Sequence, residues 1–124
     1  MTTALKSILL VDDNETLLIG TQRRLQARGF EVFTAACGAS ALGIASRHAP
    51  QVAIVDEIMP GMSGLELTRS LKQLHPEITV ISLSGMGDPF QEGDQDEDQN
   101  GDMYQAILTK PLDMDTLERM LKSI

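Results

Sequence analysis

The chain has 124 residues, 42% of them hydrophobic and 23% charged, with 18 acidic against 10 basic side chains and a formal charge of −8. That length buries one core without covalent staples, so a single domain over residues 1–124 is expected. The absence of a basic patch argues against nucleic-acid phosphate as a partner, no apolar run is long enough to span a bilayer, and the lone Cys37 excludes an internal disulfide. With no basic, apolar leader at its start, the chain is expected in a reducing, cytoplasmic setting.

The first apolar run, "SILLVDD", is hydrophobic at successive positions, as a strand buried on both faces requires. Helical spacing then puts Leu18 and Leu25 on one face, and Gly29 reads as the stop. "FEVFTA" is the second strand, followed by a helix marked by Ala41 and Ala45. "QVAIVDE" is the third, followed by a helix with Leu67, Leu71 and Leu74 on its buried face, ending before Pro76. "ITVISLSG" and "AILTKP" are the fourth and fifth strands. In the last helix Met114, Leu117, Leu121 and Ile124 line up behind Asp113 as N-cap. Cys37 reads as a small packed residue and most methionines as core filler. His48 and His75 read as helix-end cations without a chemical role.

Strand–helix alternation predicts an α/β, doubly wound parallel sheet of five strands with right-handed crossovers. The fourth crossover departs from the pattern. Residues 85–105, "GMGDPFQEGDQDEDQNGDMYQ", carry four glycines, a proline and seven acidic groups, and no amphipathic helix of normal length fits them. They read as an acidic loop, with the helix of that crossover shortened, absent or disordered. Without those seven acids the rest of the chain is nearly neutral.

Reactive side chains gather at the carboxyl ends of the strands, where open parallel sheets place their crevice. Asp12 and Asp13 end the first strand, Asp56 the third, Ser84 the fourth and Lys110 the fifth. Each has a plainer explanation: Asp12 and Asp13 as helix caps, Ser84 in a turn, Lys110 as a surface lysine. Their convergence on one rim favours a site. Three nearby carboxylates repel one another unless a cation lies among them, and hard oxygen ligands suit Mg²⁺. A carboxylate beside such a cation can attack phosphorus and form an acyl phosphate, while a lysine and a hydroxyl hold the remaining oxygens.

The segments "ILLVDDNE", "VAIVDEIMPGMSGLEL", "ISLSG" and "ILTKPLDMDTLE", in that order, resemble the receiver domain of a two-component response regulator. The resemblance implies a flavodoxin-like strand order 2-1-3-4-5. It implies that Asp56 accepts a phosphoryl group from a histidine kinase or phosphotransfer protein, in a self-catalysed transfer followed by slow autodephosphorylation. Asp13, Asp56 and the backbone carbonyl of Ile58 would hold Mg²⁺, and Asp12 would act through a water on it. Ser84 and Lys110 would each hold a phosphoryl oxygen. Two features depart from the family pattern: Ile107 stands where an aromatic residue is common, and the fourth crossover is acidic. Both fall on the face receivers use to signal, so a phosphorylation-independent interaction module on a receiver scaffold is the alternative.

The acidic run itself admits three readings. Dense like charge can be a solvated loop. Asp96, Asp98, Asn100 and Gly101 have the spacing of a calcium loop, although the closing ligand position falls on Ile107, which has no oxygen to offer. A sheet face left open near the third helix could also meet a second copy of the chain or an effector.

Overall fold

Side chains alternate across β1 (Ser7–Val11), and both of its faces are buried. Ile8 and Leu10 enter one core, Leu9 and Val11 another. The same division runs through β3 (Val52–Asp56), with Val52 and Ile54 on one side and Ala53 and Val55 on the other. The computed structural model describes residues 6–56, 61–84, 106–109 and 113–123. It adds strands β2 (Glu31–Ala35), β4 (Thr79–Ser84) and β5 (Ala106–Thr109), all parallel, in the order β2-β1-β3-β4-β5. The strand order implied by the family resemblance is the one observed.

The helices divide between the two faces. Leu18 and Leu25 of α1 (Glu15–Ala27) share a core with Leu117 and Leu121 of α4 (Met114–Lys122). Ala41 and Ala45 of α2 (Gly38–His48) pack with Leu67 and Leu71 of α3 (Gly64–Leu74) on the opposite face. Each fully buried leucine stabilises this three-layer arrangement by about 1.5–3 kcal/mol relative to exposure. The fourth crossover lies outside the described residues, and with it the expectations of a lost helix and of a calcium-like loop. On the face where an opening was expected, Val80 and Ser82 of β4 are buried.

Local chemistry sets the helix ends. The Asn14 side chain accepts a hydrogen bond from the Leu17 N–H at the start of α1. Ser63 and Glu66 form a reciprocal capping box at the start of α3. Asp113 caps α4, as expected, by accepting from the Asp115 N–H. Gly29, at φ 94°, takes the left-handed position just past the Arg28 cap of α1.

Two expectations need correction. Leu74 is 43% exposed, because the buried stripe of α3 runs through Gly64, Leu67, Thr68 and Leu71 and Leu74 lies in the last turn beyond it. Cys37 is exposed because it occupies the N-cap position of α2, where the Ser40 hydroxyl holds its thiol below the usual range. The two histidines lie at helix ends as expected, His48 in the last turn of α2 and His75 as the C-cap of α3, and each also makes a tertiary contact. The His75 ring lies 2.8 Å from the Ala45 carbonyl oxygen and joins α3 to α2, and His48 stacks on Phe33 at 4.6 Å between centroids.

A polar tie links the two helices of the other face. Arg28 donates to Glu118 at 2.8 Å and to Asp115 at 3.4 Å, and Lys122 reaches Glu118 at 2.9 Å. Lys122 first, then Arg28, hold the Glu118 carboxyl below its ordinary range, and the Thr116 hydroxyl does the same for Asp113. Carboxyls depressed by folding stabilise the fold above their unfolded pKa, and that contribution is lost as pH falls through the depressed values. In urea melts across pH, Glu118→Gln is therefore less stable than wild type at neutral pH, and the gap closes in acid. Gly20 and Gly43, inside α1 and α2, have no neighbour that would clash with an added methyl group. Gly20→Ala and Gly43→Ala are each expected to raise stability by roughly 0.5–1 kcal/mol in the same assay.

Candidate metal and phosphoacceptor site

The β1–β3 register pairs Leu10 with Ile54 and Val11 with Val55. One step further along the same ladder brings Asp12 level with Asp56. The Asp12 N–H donates to the Ala35 carbonyl at 3.2 Å, which extends the β1–β2 ladder past the strand end. One Asp12 carboxylate oxygen, Oδ1, accepts the Asn14 N–H at 3.0 Å. The plainer view of Asp12 and Asp13 as helix caps does not hold, since Asn14 fills that position. A short polar residue directly before the acidic first turn "ETLL" was the signal that could have identified it.

Asp12 and Asp56 are each only 5% exposed, whereas Asp13 is open to solvent. One carboxylate oxygen from each of the three lies within 4.8 Å of the others. Negative charges packed this closely, two of them buried, are unfavourable without a counter-charge. The donor set contains oxygen alone, with neither thiolate nor imidazole, and Asp13 leaves one side open to solvent. A small hard dication that keeps part of its water shell fits these features.

The rest of the predicted constellation is placed in part. Leu83 pairs with Asp56, so Ser84, the last residue of β4, stands one step beyond Asp56 on the same rim. Ser84 in turn pairs with Thr109, the last residue of β5. Lys110 and Ile58 lie outside the described residues. Ile107, where the family commonly has an aromatic residue, stands in register with Ser82.

The sequence matches the response regulator receiver domain family over residues 8–122. The chain belongs to that family. It is 42% identical over 81 residues to the sensor kinase CckA of Brucella abortus, an alignment covering 64% of this chain and 9% of CckA. It is 35% identical over 111 residues to the response regulator PleD of Caulobacter vibrioides, covering 86% of this chain and 23% of PleD. The chain thus spans under a quarter of the length of either relative. A response regulator receiver domain protein from Clostridium thermocellum superposes with a TM-score of 0.85 at 30% identity, covering 96% of this chain and 93% of that one.

As in other receivers, the Asp12–Asp13–Asp56 cluster is a Mg²⁺ site suited to self-catalysed phosphotransfer. Among the described residues no helix is long and apolar enough to cross a membrane. Because the carboxylates repel one another, Mg²⁺ is expected to raise the melting temperature of this receiver. Asp56→Asn removes one of those charges. It should respond less to the cation than wild type in the same scan.

Proposed function

We propose that this receiver takes a phosphoryl group from the phosphohistidine of a histidine kinase or phosphotransfer protein onto Asp56. An Asp56 carboxylate oxygen forms a bond to phosphorus as the phosphorus–nitrogen bond of the donor breaks, and the electron pair stays on the departing ring nitrogen, which takes up a proton from solvent to leave a neutral imidazole. The product is an acyl phosphate, which water later returns to carboxylate and inorganic phosphate. The observation that carries this reading is the cluster itself: two buried carboxylates and one exposed one converge at the carboxyl ends of β1 and β3.

Asp13, Asp56 and the Ile58 backbone carbonyl would hold Mg²⁺, with Asp12 in its outer shell, and the cation would offset charge on the phosphoryl oxygens. Asp56, fixed at a buried strand end, needs little reorganisation before attack. The Ser84 hydroxyl donates to one phosphoryl oxygen, and the Lys110 ammonium pairs with another. Asp12 and Asp13 make the mouth of the site negative, so Asp56 has little affinity for an anionic donor unless the cation is bound.

A histidine kinase as donor is supported by the similarity to a chain named as a sensor kinase. The exposed thiol of Cys37 suits a reducing, cytoplasmic compartment. Output passes through the region of the fourth crossover, to a second copy or an effector. The presence of Ile107 instead of an aromatic favours a second reading, in which the scaffold binds its partner whether or not it is phosphorylated.

Intact mass after incubation with a small-molecule acyl phosphate and Mg²⁺ tests the proposal. Wild type should gain one phosphoryl group and lose it slowly to water. Asp56→Asn should gain none while keeping its fold by circular dichroism. A wild type that binds Mg²⁺ but is never labelled would leave the interaction module as the function.

A further inference from the structure

Asn14 stands between the carboxylate cluster and α1, and three of its polar groups are committed. Its N–H donates to Asp12 Oδ1 at 3.0 Å, its carbonyl accepts the Leu18 N–H at 2.9 Å, and its side-chain oxygen accepts the Leu17 N–H at 3.1 Å. The last two bonds start the helix with Asn14 at φ −90° and ψ 101°. That conformation turns its N–H back toward the carboxylate two residues earlier.

Asp12 is held from the other side as well. Its own N–H is tied to the Ala35 carbonyl of β2, and the residue is buried. With the backbone fixed, the carboxylate can still turn about its side-chain torsions, and the bond from Asn14 restrains that rotation. One oxygen from each of Asp12, Asp13 and Asp56 lies within 4.8 Å of the others, so a turn of one carboxylate changes the set of oxygens that meets a cation. The start of α4 is built alike, with Asp113 accepting the Asp115 N–H at 3.1 Å, but Asp113 is no member of the cluster.

We propose that Asn14 is a positioning residue for the cation: by capping α1 it holds the N–H that orients the Asp12 carboxylate. Asn14 acts through Asp12 and does not touch the cation. The proposal rests on the cation site and not on phosphoryl transfer. Coupling of this kind is reciprocal, so cation binding tightens the α1 cap by the factor by which the cap strengthens cation binding. A cap that served the helix alone would alter stability and leave affinity unchanged.

Mg²⁺ titration calorimetry on the full chain separates the two. Asn14→Ala should weaken Mg²⁺ binding roughly tenfold, as loss of support behind a metal ligand commonly does. Asn14→Ser, which caps a helix about as well, should keep the wild-type affinity. Asp113→Ala removes the matching cap of α4 and should lower the melting temperature with no change in affinity. Melting curves check that each variant is folded at the titration temperature. In wild type, Mg²⁺ should slow hydrogen exchange at the Leu17 amide by up to about tenfold more than at the Asp115 amide, read by NMR. Unchanged affinity in Asn14→Ala, weakened affinity in Asn14→Ser or Asp113→Ala, or an equal exchange response at the two amides overturns the proposal. Neither readout uses labelling, so an Asp56 that never takes a phosphoryl group would sink the phosphoacceptor reading and leave this one standing.

Discussion

The pairing of β1 with β3 is the constraint on which the rest depends. Both strands are apolar on both faces, so each residue is committed to one of two cores. Slipping the pair by one residue would send each side chain into the wrong layer and part Asp12 from Asp56. The energy that fixes this register is hydrophobic and lies in residues that perform no chemistry. It offsets the cost of bringing carboxylates together at the strand ends. Stability and function are thus supplied by adjacent segments of the same two strands, the first by their interiors and the second by their carboxyl termini.

Asp12 shows how backbone and site are joined. Its N–H continues the ladder to Ala35, and its carboxylate orders the turn at Asn14, which in turn caps α1. A strand end, a metal-ligand candidate and a helix start therefore depend on three successive residues. Any substitution among them alters local folding as well as charge. Labelling or binding measurements on such variants have to be compared with their melting behaviour.

Much of this was legible in the sequence, for physical reasons. Strands buried on both faces leave unbroken apolar runs, and helices packed on one side leave spaced pairs such as Leu18 and Leu25 or Ala41 and Ala45. The acidic triad was visible because its carboxylates directly follow unbroken apolar runs. What failed depended on tertiary placement. Leu74 has the right spacing but lies where α3 passes beyond the buried stripe, and Cys37 is a packing residue by type and a helix cap by position. The capping box Ser63-x-x-Glu66 was readable and passed over. The His75–Ala45 contact and the packing of Met62 against Gly38 join residues distant in sequence, and no local pattern announces them.

The strand order has a further consequence. Because β1 lies between β2 and β3, all three carboxylates are supplied by the first 56 residues, whereas Ser84 and β5 belong to the remainder of the chain. The rim therefore draws on two stretches of the polypeptide: an early one that gathers the carboxylates and a later one that adds the ends of β4 and β5. Substitutions in the later stretch, which holds the isoleucine at 107 and the acidic run before it, leave the three carboxylates of the early stretch in the sequence. In this chain the three carboxylates match the receiver pattern, and the two departures noted from it, Ile107 and the acidic stretch, both belong to the later part of the sequence.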